Sequence, residues 1–184
     1  MITSKSDLRD YIQADNSWYC PKGWKEKVVA ALARYPQRDL KRFLYFLRKQ
    51  EYYINTARGN KFRGFLAIYY EGRKNALGSR LGVEIGPNCF GKGIQLWHGN
   101  VVVNPSVRAG EGCILHGGNC IGNNGIVDVS PRLGNHVELG YGAILIGDIE
   151  IADHCVIGAN ALVCSSFEEA GSVLVGVPAR VAKR

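Results

Sequence analysis

The sequence predicts an α+β protein, a helical front followed by a triangular prism of short parallel strands, on the strength of two contrasts and one period. Charge divides the 184 residues near Arg80: residues 1–80 hold 17 Lys and Arg against 7 Asp and Glu, residues 81–184 hold 6 against 9, and the halves carry +10 and −3. Composition divides at the same place, with 14 of 18 aromatics before it and 18 of 23 glycines after it. Beyond it runs a period of six. Stepping from Ile85 to Val175, 12 of 16 positions are Ile, Leu or Val, and the next residue is Gly at 7 of them. Ordinary composition would give those three residue types only about a quarter of the positions. Residues 1–80 are therefore expected to form a helical domain, and residues 81–184 a prism with a C-terminal tail.

The helical elements follow in order. Ser4 and Ser6 can cap a first helix running through about Gln13. The stretch PKGWKEKVVAALARYP reads as a second helix ended by Pro36. In RDLKRFLYFLRKQEYYINTA, Leu40, Phe43, Leu44 and Leu47 repeat at helical spacing, and a fourth helix is expected from Lys61 to Leu77. Lys and Arg interleaved with Tyr and Phe are compatible with phosphate and base contacts. Here, however, the charges lie between apolar helix positions, as on the solvated face of packed helices or a surface for an anionic substrate, so nucleic acid is not the expected partner.

In the prism, a period of six with an inward aliphatic and then glycine requires a short strand and a turn that favours left-handed backbone conformations. Three sides make a coil of eighteen residues, and sixteen hexads make about five coils. Such prisms coil left-handedly, against the usual crossover rule, so the expected fold is a left-handed parallel β-helix of about five coils. The period is read as unbroken from end to end. Cys89, Cys113 and Cys155 then fall at inward positions, and with no C-x-x-C pair the six cysteines are read as reduced thiols.

Several classes are excluded. No run of eighteen apolar residues supplies a membrane span, and MITSKSDLRDYIQADNSW has neither the apolar core nor the cleavage site of a leader, so a cytoplasmic protein is expected. A zinc site of the carbonic anhydrase type needs three converging histidines. The closely spaced partner expected after His116 is Ile121, so no metal is expected.

The block from Val83 to Arg180, with LGNHVELGYGAILIGDIEIADHCVIGANALV and the closing GVPAR, resembles the left-handed β-helix acyltransferases and, among them, the serine acetyltransferase family. The ending IGANALVCSSFEEAGSVLVGVPAR is most similar to members from bacterial capsule and exopolysaccharide gene clusters. The resemblance implies a homotrimer that moves an acetyl group from acetyl-CoA, bound between neighbouring prisms, to a hydroxyl.

Transfer to a hydroxyl needs a base, and imidazole suits neutral pH. The chain has four histidines, and His98 and His116 hold the second hexad position 18 residues apart. That spacing predicts one edge of consecutive coils, within about 5 Å. His136 and His154 are likewise 18 apart, at the fourth position, and are read as idle turn residues. The segment GVEIGPNCFGKGIQLWHGNVVVN is similar to the family segment whose histidine acts as general base, which implies that role for His98 and an orienting role for Glu84. His116 is the further catalytic candidate, holding the acceptor or polarising the thioester.

The chain departs from the family where the amino acid would be gripped. Trp97 stands in place of an aspartate before the base, and Val129 and Ser130 in place of an Arg-His pair. A sugar or polysaccharide precursor is therefore the expected acceptor, stacked on Trp97 with Asp128 as a hydrogen-bonding partner. Serine O-acetylation for cysteine biosynthesis and a non-catalytic trimeric scaffold binding a glycan or partner are the alternatives. For the cofactor, the resemblance implies Asn123, Tyr141 and Ala159, spaced 18 apart and read as one column, with Arg180 and Lys183 supplying charge for the CoA phosphates.

Overall fold

The computed structural model describes residues 1–18, 23–33, 35–126 and 129–182. Four helices come first: α1 (Lys5–Asn16), α2 (Trp24–Leu32), α3 (Pro36–Thr56) and α4 (Lys61–Leu81). Ser4 caps α1 reciprocally with Asp7, each side chain accepting from the other's backbone N–H. Pro36 opens α3 instead of merely closing α2, because at a first helical position the missing N–H costs nothing. The fourth helix runs one turn past its expected end, to Leu81, where Gly82 closes it in a left-handed conformation (φ 67°).

Short strands then wrap three faces. One carries β1 (Val83–Ile85), β3 (Val101–Val103), β6 (Cys120–Gly122), β9 (Ile144–Ile146) and β12 (Leu162–Val163). The second carries β4 (Arg108–Ala109), β7 (Arg132–Leu133) and β10 (Glu150–Ile151). The third carries β2 (Gln95–Leu96), β5 (Ile114–Leu115), β8 (Glu138–Leu139), β11 (Val156–Ile157), β13 (Val173–Gly176) and, antiparallel to β13, β14 (Ala179–Val181). All other pairings are parallel, and a five-stranded face agrees with the expected number of coils.

The period of six does lose phase. In the first coil the inward residues are Ile85, Phe90 and Leu96, before Val103 opens the next, so Gly91 and Trp97 are displaced by their predecessors. Near the end Phe167 and Leu174 replace Glu169 and Val175, both of which are exposed. Coil length varies accordingly. Val83 pairs with Val101, 18 residues on, but Gln95 pairs with Ile114, 19 on, and Cys120 with Ile144, 24 on. The last step reflects an outward loop after β6 that adds one hexad's length and lets the coils resume in register.

Helices and prism share one core, in which Leu40, Phe43, Leu44 and Leu47 of α3 meet the first coils. A buried ionic knot fixes the junction. The Arg48 guanidinium, wholly excluded from solvent, donates from Nε to Asp15 of α1 (2.7 Å), from Nη1 to Glu51 (2.9 Å) and to the Phe90 carbonyl (3.0 Å), and from Nη2 to the Gly91 carbonyl (2.6 Å). Asp15 also accepts from the backbone N–H groups of Gly93 and Ile94, and Glu51 from that of Asn88. Burial alone would lower the basicity of Arg48, but the Glu51 and Asp15 carboxylates outweigh it and hold the charge in place.

Cys89, Cys113 and Cys155 are buried in the prism core, Cys120 is half-buried and Cys164 is exposed, all as free thiols; Cys20 lies outside the described residues. Burial pushes the Cys89 and Cys113 thiols up to about 11. Alkylation at pH 8 followed by peptide mapping is therefore expected to mark Cys164 first and to reach Cys89, Cys113 and Cys155 only in denaturant. Rapid native labelling of Cys113 would contradict this packing.

Candidate active site

The corner between the third face and the first gathers most of the candidate residues. Trp97 and His98 follow β2, His116 and Gly117 follow β5, Tyr141 follows β8 and Ala159 follows β11, before the chain turns into the next strand of the first face. Leu96 pairs with Leu115, so the residue stacked on His116 is Trp97 and not His98. The expected pairing of the two histidines fails because this coil has 19 residues where the count assumed 18. The indole and imidazole lie 4.1 Å apart between centroids, at 25°.

His98 instead lies over Gly117, and the next two rungs at this position are Tyr141 and Ala159. A side chain at Gly117, whose φ is 117°, would strike His98, which is why this rung carries none. Tyr141 and Ala159 are exposed and form a column with His98 at its head. Asn123 is outside it, because the long coil sets Asn123 at the start of the outward loop, where it accepts from the N–H of Gly125. Arg180 is exposed on β14, opposite Val175. Asp128 and Lys183 lie outside the described residues, and Ser130 is buried.

Glu84 points outward on β1, in a groove of about 460 Å³ between that strand and α4 that Lys74, Asn75 and Ser79 also line. It forms neither a hydrogen bond nor an ion pair with His98. Lys74, largely buried beneath the groove, donates from Nζ to the Ile85 carbonyl (2.9 Å), and burial lowers its basicity.

The histidine that does meet a carboxylate is His116, whose Nε2 lies 2.8 Å from Oε1 of Glu138. Glu138 was not among the sequence candidates. It follows His116 by 22 residues, more than one regular coil, and becomes its neighbour because Ile114 pairs with Glu138 across the 24-residue step. The signal was present in the turn-forming Asn123, Asn124 and Gly125 and in Pro131, which mark an extruded loop. His136 and His154 stack on the opposite side of the third face, 5.0 Å apart, exposed and at positive φ (54° and 60°), as turn residues. No group of three or more His, Cys, Asp or Glu arranged to hold a metal ion is found among the described residues.

Helices capping a left-handed parallel β-helix define the class of fold, and comparison with known proteins bears on the particular one. The soybean serine acetyltransferase complexed with serine superposes with a TM-score of 0.69 at 22% identity, covering 97% of this chain and 70% of that one. The Neisseria gonorrhoeae serine acetyltransferase gives 0.68 at 21%, covering 98% and 68%. At such identities the likeness carries the fold, and it includes the helical front. In sequence, the chain is 36% identical over 107 residues to the serine acetyltransferase of Synechococcus elongatus PCC 7942 (56% of this chain, 43% of that protein). It is 37% identical over 94 residues to WcaB of Escherichia coli K12, named as a colanic acid biosynthesis acetyltransferase (50% and 57%). The chain thus spans about half the length of the curated relatives it matches. No family model matches the sequence. Among the described residues no helix is long and apolar enough to cross a membrane.

Proposed function

We propose that this protein is an acetyl-CoA-dependent O-acetyltransferase whose acceptor is a hydroxyl of a sugar or polysaccharide precursor, acting in the cytoplasm as a homotrimer. The observation that carries this reading is the shared corner, which sets an exposed imidazole at the head of a column of exposed positions on a fold common to acetyltransferases. His98 takes the proton of the acceptor hydroxyl as its oxygen bonds to the thioester carbon. As the carbon–sulfur bond breaks, the imidazolium returns that proton to the departing thiolate, so no proton is gained or lost. Tyr141 and Ala159 border the path of the pantetheine arm, Arg180 and Lys183 supply charge for its phosphates, and a backbone N–H along the column steadies the carbonyl oxygen. Glu84 is assigned to orienting His98, and Asp128 to the acceptor.

The names of several relatives make serine the second candidate. A zwitterion needs charged grips, yet the positions where the resemblance implies them hold Trp97, Val129 and a buried Ser130. Release of free CoA by the purified protein is therefore expected with glucose, galactose or N-acetylglucosamine, free or as UDP conjugates, and not with L-serine. Turnover with serine alone would defeat the carbohydrate reading. Binding of acetyl-CoA without turnover on any acceptor would favour a scaffold.

A further inference from the structure

We infer that Glu138 is a positioning residue which, through His116, sets Trp97 as the platform for the acceptor. This rests on the carbohydrate reading above. Three rungs of one face are linked in series. Indole Nε1–H donates to Gln95 Oε1 (3.2 Å), the imidazole of His116 covers one indole face, and Glu138 on the following rung holds that imidazole by Nε2. An ionised carboxylate only accepts, so Nε2 carries the hydrogen. Nδ1 meets no other group among the described residues.

Part of the indole stays open to solvent at the end of its sheet. β2 is the terminal strand of its face, so no earlier rung covers Trp97, which stays 36% exposed. A tethered, part-exposed aromatic suits the C–H face of a pyranose, and an acceptor lying there is one residue from His98. Read only as a surface ion pair, His116 and Glu138 would contribute little to stability. Both are part-exposed, so their removal leaves the fold intact and the platform can be tested.

The test compares Glu138→Ala and Glu138→Gln with the unaltered protein, using the near-UV circular dichroism band that disappears in Trp97→Phe. Glu138→Ala is expected to diminish that band and to raise KM for the sugar acceptor about tenfold or more while KM for acetyl-CoA stays unchanged. Glu138→Gln, whose amide oxygen still accepts from Nε2–H, should retain most of both. An unchanged band in Glu138→Ala would overturn the positioning role, and a diminished band with an unchanged acceptor KM would overturn the platform. If no acceptor is turned over, quenching of Trp97 emission by UDP-N-acetylglucosamine, present in the unaltered protein and lost in Glu138→Ala, would uphold the platform. Its absence in both would reject it. Turnover of serine alone would defeat the carbohydrate reading separately, with the band still reporting on Glu138.

Discussion

Replacing Arg48 by Met is expected to cost about 3–5 kcal/mol of folding stability, because it leaves the Asp15 and Glu51 carboxylates buried without the cation that both of them meet. The loss is larger than that of an ordinary core substitution, since the same guanidinium also satisfies the Phe90 and Gly91 carbonyls. Arg48→Lys should recover part of it: an ammonium restores the charge but cannot reach two carboxylates and two carbonyls with one planar fork. Chemical denaturation of the three proteins measures this directly. Near-equal midpoints for Arg48→Met and the unaltered chain would mean that the junction is held by apolar contact alone.

His98→Ala is expected to lower kcat/KM for acetyl transfer by about 10²–10⁴ while leaving the denaturation midpoint almost unchanged, because the side chain is exposed and makes no hydrogen bond among the described residues. His136→Ala and His154→Ala, in the turns across the third face, serve as controls and should retain full turnover. A loss confined to His116→Ala would transfer the role of base to the histidine that already has its carboxylate. Equal losses in both variants at the corner would indicate that the two imidazoles act on one proton.

The helical front was legible because its signals are local. Ser4 with Asp7 three residues on, and the spacing of Leu40, Phe43, Leu44 and Leu47, depend only on neighbours within a turn or two. The prism was legible for a different reason, a repeated unit reporting itself at 12 of 16 positions. Contacts between coils were another matter. Each depends on the number of residues in a whole coil, and a single residue more in the first step or one hexad more in the loop after β6 exchanges every partner on the rung. That is how His98 lost His116, Asn123 left the column of Tyr141, and Glu138 went unnoticed. The count tolerates no error, whereas burial does: Cys89, Cys113 and Cys155 lie inward as the period requires, since an inward position survives any insertion that lies wholly outside the coil.

The way the prism ends bears on what the molecule avoids. A rung of parallel strands is a template for another rung, and two prisms meeting head to tail could in principle extend one another without limit. At one end Arg48 and the helices it ties down occupy the Phe90 and Gly91 carbonyls that would receive a newcomer. At the other, β14 folds back antiparallel on β13, so the last hydrogen-bonding edge runs against the direction of every strand before it. A polymer of prisms would have to displace both devices.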